Sequence, residues 1–328
     1  MSQAEAVVDL IKAKTDSAHD SSMKQLEGSL SEFAAKTRQD IINITSLVEL
    51  ELDFAEEGLE LVKKSEVSSK IENLIAELNK IIDSYIKGKV IREGVNLVIA
   101  GKPNSGKSSL FNYFLRTNRA IVSEIAGTTR DYIEESIIIN GYLFNLTDTA
   151  GLRHSGDIIE SEGIKRSYKK IEEADLILYM ADSSLSEEEK KKETEIFNSE
   201  FDKNKSILVY SKCDLDKNYL QDKTDIHISL LKDDTIDFLK REMINKISAN
   251  EITDSSSGII ITNLRHKICL ENVVISLTEA VKSLKDNMSG EFVSVDLRNA
   301  LKYLGEITGE VTNDEILNNI FGKFCIGK

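Results

Sequence analysis

Residues 95–114 read VNLVIAGKPNSGKSSLFNYF. A run of mostly apolar residues enters a glycine-bearing turn and leaves it with apolar positions at helical spacing. GKPNSGKS, from Gly101 to Ser108, matches G-x-x-x-x-G-K-[ST], and a strand before it with a helix after it is the context that gives this spacing meaning. Backbone N–H groups in such a loop converge on phosphate oxygens at a helix N-terminus, where the aligned peptide dipoles also favour negative charge. Lys107 is placed to reach the β- and γ-phosphates, and the Ser108 hydroxyl to bind Mg2+. Asn104, Ser105, Gly106 and Ser109 complete the cradle. Pro103, inside the turn, is the only proline in 328 residues.

Outward from this stretch, residues 93–250 alternate in character. Short apolar runs appear as VNLVIAG, YLFNLTDTAG, ADLILYMAD, KSILVYSKCD and DIHISLL, with charged, helix-like segments between most of them. Strands alternating with helices predict a mostly parallel sheet covered on both faces. SEEEKKKETEIF reads as a solvated helix face without a function. Residues 1–92 instead carry helical periodicity. Ala4, Val7, Val8 and Ile11 fall at i, i+3, i+4 and i+7, and Ile71, Leu74, Ile75, Leu78, Ile82 and Tyr85 form a longer stripe. Both stripes are expected in a bundle core. After the polar stretch SANEITDSSSG the helical pattern returns over 251–328, where Leu297, Ala300, Leu301 and Leu304 share a face. Thr312 and Glu315 have capping-box spacing and open an expected last helix with Leu317, Ile320, Phe321 and Phe324. The expected architecture is an α/β P-loop domain, a mostly parallel sheet with helices on both faces, inserted into an all-α helical-bundle domain.

Composition narrows the function classes. Asp plus Glu number 56 against 42 Lys plus Arg, a net charge of −14, which argues against a broad nucleic-acid or anionic-membrane footprint. Cys213, Cys269 and Cys325 are odd in number and far apart, and with only four histidines they indicate neither a disulfide framework nor a zinc site. No apolar run approaches the roughly 18 residues of a membrane span. The opening MSQAEAVVDL lacks the basic and apolar regions of a signal peptide. The expectation is a reduced, cytoplasmic, soluble protein without a membrane span.

Three further motifs follow the loop in order. AGTTRD offers Thr129 as a switch hydroxyl completing the Mg2+ shell. DTAG (Asp148, Thr149, Ala150, Gly151) ends an expected strand, with Asp148 holding an Mg2+-bound water and the Gly151 N–H facing the γ-phosphate. SKCD (Ser211, Lys212, Cys213, Asp214) closes a later strand, where a carboxylate can accept two hydrogen bonds from the N1–H and N2–H2 edge of guanine. Adenine has no such donor pair and would leave the carboxylate unpaired, which penalises ATP. Ser229, in HISLL, falls in the last base-contacting loop. Four pieces in this order on an α/β pattern point to a G domain.

QAEAVVDLI, GTTRD, DTAGLR, TNLRH (Thr262 to His266), GEITGEVT (Gly305 to Thr312) and the terminal FCIGK add a second layer. With them the chain resembles the MnmE (TrmE) family of tRNA modification GTPases over essentially its whole length. FCIGK is the most specific of these, because motifs common to G proteins do not produce it. The resemblance begins inside the family's helical domain. The family's N-terminal domain, which binds a formyl- or methylene-tetrahydrofolate and pairs two subunits, therefore lies outside this sequence, and a shortened form is the expectation. Lys328 corresponds to a lysine that helps bind that folate, so only part of the folate site is present. Cys325 is singled out by its place in FCIGK and reads equally well as a small packed residue.

The resemblance also implies a mechanism. Leu152 follows DTAG, where a Gln would orient the attacking water, and Leu cannot. Family members use K+ in place of an arginine finger, held by the residue at Asn104 and by carbonyls at Ser123, Ile125 and Thr128. Glu124, Ala126 and Gly127 belong to the same nucleotide-contacting segment. The water is oriented by a glutamate that aligns with Glu160. K+ between β- and γ-phosphates stabilises charge on the bridging oxygen. The implied activity is potassium-stimulated hydrolysis of GTP by G domains that pair as a homodimer. The implied partner is an MnmG-like FAD protein, and the implied product is a C5 aminomethyl or carboxymethylaminomethyl group on the wobble uridine of certain tRNAs, with tRNA held mainly through the complex. Ser211 departs from the family's Asn; it is expected to lack one of the two bonds Asn makes, to base and to phosphate loop, and so to weaken guanine-nucleotide binding. Two other readings remain. A ribosome-assembly GTPase of the same superfamily leaves FCIGK unexplained. A non-hydrolysing guanine-nucleotide scaffold sits poorly with intact Lys107, Ser108, Thr129 and Asp148.

Overall fold

The computed structural model describes residues 1–54, 63–118, 134–148, 169–215, 225–248 and 259–309. In chain order the elements used below are α1 (Ser2–Lys12), α2 (Asp16–Glu27), α3 (Ser29–Phe54), α4 (Lys64–Asp83), α5 (Tyr85–Glu93), β1 (Val95–Gly101), α6 (Lys107–Asn118), β2 (Glu134–Ile139), β3 (Tyr142–Asp148), β4 (Leu176–Asp182), α7 (Glu187–Glu200), β5 (Ser206–Ser211), β6 (Ile226–His227), α8 (Asp233–Ser248), α9 (Leu264–Lys285) and α10 (Gly290–Thr308). They form two compact units, Met1–Arg92 with Thr253–Lys328, and Glu93–Ile252. No helix among the described residues is long and apolar enough to cross a membrane.

The helical unit has one core built from both of its sequence segments. Ile41, Ile71 and Leu78 from the first segment and Leu270, Leu277 and Leu297 from the second are fully buried in a single cluster. Neither segment covers its apolar stripe alone, so burial of these side chains holds the two together. α9 packs on α10 and α4, and α3 packs on α10. Side-chain caps set the starts of the late helices: Asn263 Oδ1 accepts the Arg265 N–H at 2.9 Å, and Ser289 Oγ accepts that of Glu291 at 3.4 Å. At the α4–α5 joint, Ser84 Oγ accepts the Ile261 N–H and donates to the Ile81 carbonyl, a second tie between the segments.

The two helical stripes fare differently. Ile71, Leu74 and Leu78 are buried, with Ile75, Ile82 and Tyr85 packed partly buried against the core. In α1 the expectation fails: Val7 and Ile11 are exposed, and Ser2, Glu5, Ala6 and Asp9 face inward. Ion pairing decides the orientation. Arg265 grips Glu5 with two bonds of 2.9 and 2.8 Å, and Arg92 Nε donates to Asp9 Oδ1 at 2.9 Å. Buried charges need partners more than one or two apolar side chains need cover. The expected helix after Thr312 lies outside the described residues.

The α/β unit holds a six-stranded sheet in the order β2-β3-β1-β4-β5-β6. All neighbours are parallel except β2 with β3. β4 is buried through its first six residues, as a strand covered on both faces should be. β2, not among the expected strands, joins β3 through Asn140 and Gly141, at φ 49° and 84°. Two positive φ values in a two-residue connection make a hairpin turn whose twist matches the strands. The registers Ile99 with Asp148, Gly101 with Met180 and Asp182 with Ser211 bring the carboxyl ends of β1, β3, β4 and β5 to one sheet edge. In open α/β sheets that edge is where ligands bind.

Candidate nucleotide site

β1 ends at Gly101, whose φ is 134° and where a Cβ would collide with the Met180 carbonyl on β4. Only glycine lets the chain turn this close to its neighbouring strand. The loop then carries Asn104 at φ 65°, an uncommon conformation for a residue with a side chain. Its carbonyl is held by Lys212 Nζ at 2.8 Å, and Lys212 also pairs with Asp182 Oδ2 at 2.6 Å. The Asp182 carboxyl sits below the usual carboxylate range: burial pushes it up, and the bonds from Lys212 and Ser184 outweigh burial.

Lys107 opens α6 with its side chain buried, and its Nζ donates to the Lys102 carbonyl at 2.5 Å. Ser108 and Ser109 are exposed on the same first turn. A positive group, a helix N-terminus and exposed hydroxyls on one turn make a site for anionic oxygens.

Across the loop, Ser211 Oγ donates to the Ser105 carbonyl at 2.7 Å, both residues buried. The bond to the phosphate loop is therefore made by serine. What its side chain lacks is the amide that would reach onward to a base. Behind Ser211 the chain turns through Lys212 at φ 59° and presents Asp214 at the surface. Ser229 Oγ donates to Asp214 Oδ1 at 2.5 Å and accepts the Leu231 N–H at 3.2 Å. Thr235 Oγ1 in turn accepts the Ser229 N–H at 3.0 Å. Between loop and carboxylate lies a cavity of about 140 Å³, walled by Gly106, Leu110, Met180, Ser211, Asp214 and Ser229. Its apolar walls suit a flat ring, and Asp214, oriented by Ser229, supplies lone pairs at the mouth. The Cys213 thiol, buried beside Asp214, is pushed up by burial and is not poised to react.

Of the residues expected from sequence, the structure brings together Asn104, Ser105, Gly106, Lys107, Ser108 and Ser109 with Ser211, Lys212, Asp214 and Ser229. Asp148 ends β3 beside Ile99, and its side chain lies outside the described set. Residues 123–129 and 149–151, Leu152, Glu160, Cys325 and Lys328 also lie outside the described residues. Asp182 and Thr235 were missed. Asp182 had a readable signal, a carboxylate closing an apolar strand at the ligand edge; Thr235 had none, since its role depends on how α8 starts.

Residues 1–325 match the family model of the MnmE helical domain. The chain belongs to the MnmE family. It is 43% identical over 336 residues to the tRNA modification GTPase MnmE of Chlorobaculum tepidum, covering 99% of this chain and 71% of that protein. It is 39% identical over 337 residues to the tRNA modification GTPase MnmE of Flavobacterium psychrophilum, covering 100% of this chain and 72% of that protein. Among solved structures, the G domain of the T. maritima FeoB iron transporter aligns with 30% identity and a TM-score of 0.34, over 46% of this chain and 98% of that one.

Proposed function

We propose that the chain is a potassium-stimulated GTPase that hydrolyses GTP to GDP and phosphate and works in tRNA modification with an MnmG-like, FAD-dependent protein at C5 of the wobble uridine. The observation that carries this reading is Asp214, oriented by Ser229, at the mouth of a cavity that shares a wall with the phosphate loop, in a member of the MnmE family. The chain is a GTPase by family, and the carboxylate acceptor at this cavity supports guanine as the base it reads. Residues 93–250 act as the hydrolysing domain, and 1–92 with 251–328 form the helical domain.

The residues present fit the two cations that such chemistry uses. Ser108 exposes a hydroxyl on the first turn of α6 and Asp148 ends β3, both hard oxygen ligands of the kind Mg2+ takes. Asn104 stands exposed on the loop with its carbonyl fixed by Lys212, and with Ser123, Ile125 and Thr128 it would hold K+. When bound, K+ would supply positive charge to offset negative charge developing on the phosphate oxygens. Lys107 exchanges the Lys102 carbonyl for phosphate oxygens, and Glu160 orients the attacking water in place of the glutamine that Leu152 replaces. Two such domains pair across their nucleotides during hydrolysis. Lys328 serves a tetrahydrofolate site only where the rest of that site is present, and tRNA is held mainly by the complex.

The test is steady-state GTP hydrolysis in potassium against sodium at matched ionic strength, for the wild type and Asn104→Ala. Stimulation by potassium that the variant loses supports the cation mechanism. Equal slow rates in both salts remove Asn104 from catalysis.

A further inference from the structure

We propose that Glu193 is a positioning residue for the phosphate loop, acting through the side chain of Lys102. Glu193 lies on α7 in the charged run SEEEKKKETEIF, yet it is only 2% exposed. One carboxylate oxygen pairs with Lys102 Nζ, and the other accepts the Tyr179 O–H at 2.7 Å. The Tyr179 ring is itself packed against Phe197 and Phe201, with centroids 6.0 and 5.0 Å away. The carboxylate cannot shift without disturbing that cluster. Burial and the adjacent carboxylate push the Tyr179 phenol up, so it stays a donor across the physiological range.

Lys102 is the first residue of the loop after Gly101. Its carbonyl accepts both the Ser105 N–H, at 3.4 Å, and Lys107 Nζ. Pro103 follows with its fixed φ, and Asn104 then takes the left-handed conformation. Such a conformation persists where the surroundings over-determine it. Two ties flank it here: Lys212 on the Asn104 carbonyl, and Glu193 on the Lys102 side chain.

A carboxylate near an anion-binding loop is electrostatically adverse for phosphate. If Glu193 served only to anchor α7, an apolar residue packed with Phe197 would do as well. Position accounts for both facts. It also gives a sign that charge alone does not. Neutralising Glu193 removes a negative charge and by Coulomb attraction would tighten GDP, whereas loss of positioning loosens it.

The inference rests on the reading of residues 101–108 as a phosphate loop, and GDP binding by the wild type checks that reading separately. The experiment is GDP affinity, from titration with a fluorescent GDP, for wild type, Glu193→Gln, Lys102→Met and the double variant, with thermal midpoints and ADP affinity alongside. The expected result is about a tenfold loss of GDP affinity in each single variant, the size of one charge-assisted hydrogen bond, and no further loss in the double. The preference for GDP over ADP stays the same, because the base cavity is not touched. A Glu193→Gln protein that binds GDP as tightly as or more tightly than wild type overturns the proposal, and so do losses that add. Should Glu193→Gln fail to fold, Lys102→Met still supplies the overturning result: the Lys102 side chain is 59% exposed, and unchanged GDP affinity in that variant overturns the proposal.

Discussion

Ser211→Ala removes the 2.7 Å bond from Ser211 Oγ to the Ser105 carbonyl and supplies no substitute. Ser211 is 5% exposed and Ser105 3%, so water cannot readily take over. A buried carbonyl left unpaired costs about 1–3 kcal/mol. The loss falls on the phosphate loop, because Ser105 lies between Asn104 and Gly106. Nucleotide affinity is therefore expected to fall about fivefold to 150-fold, with about 1.4 kcal/mol per factor of ten. Ser211→Asn is expected to act in the opposite direction. Its amide can donate to the same carbonyl and still face the cavity that Ser211 and Gly106 wall. The assay is equilibrium titration of GDP against wild type and both variants, with urea unfolding as the stability control. If Ser211→Ala bound GDP within twofold of wild type, the bond to Ser105 would contribute nothing to the loop.

The helical unit should be acid-sensitive through Glu5. Its carboxyl is lowered from 4.5 to about 2; burial alone would raise it, but the bonds from His266 and Arg265 prevail. A depressed acid stabilises above its unfolded pKa, so about 3 kcal/mol is present above pH 4.5 and disappears as the pH falls toward 2. Urea unfolding at pH 6 and pH 3 should show about two thirds of this loss in wild type and not in Glu5→Gln, beside a loss from His266, held below its usual range by burial, in both proteins. Gly101→Ala places a methyl group against the Met180 carbonyl at a backbone angle that alanine avoids, and is expected to abolish detectable GDP binding while the helical unit keeps its own unfolding transition.

The phosphate loop was legible in the sequence because its spacing constrains the backbone: glycine where β1 touches β4, lysine and serine where the helix begins. The buried strands were legible as apolar runs. β2 was not, because Glu134–Ile139 is half charged or polar and its turn signal, Asn140-Gly141, is a single dipeptide. Periodicity gave α1 its stripe but not its orientation. Val7 and Ile11 face outward because Arg265 and Arg92 reach the acids on the other side, and those partners lie far away in sequence. Ser211 was half legible, its missing amide plain from the motif and its bond to Ser105 visible only in three dimensions. Glu193 gave no signal, since one glutamate in a charged run looks like its neighbours until the fold places Tyr179 and Lys102 beside it.

Whether this cavity reads guanine through Asp214 is tested most directly by hydrolysis of GTP and xanthosine triphosphate by wild type and Asp214→Asn. Asparagine offers an N–H where xanthine carries an oxygen, so preference is expected to switch from GTP to the xanthine nucleotide. A variant that keeps the wild-type preference for GTP would contradict that role for Asp214.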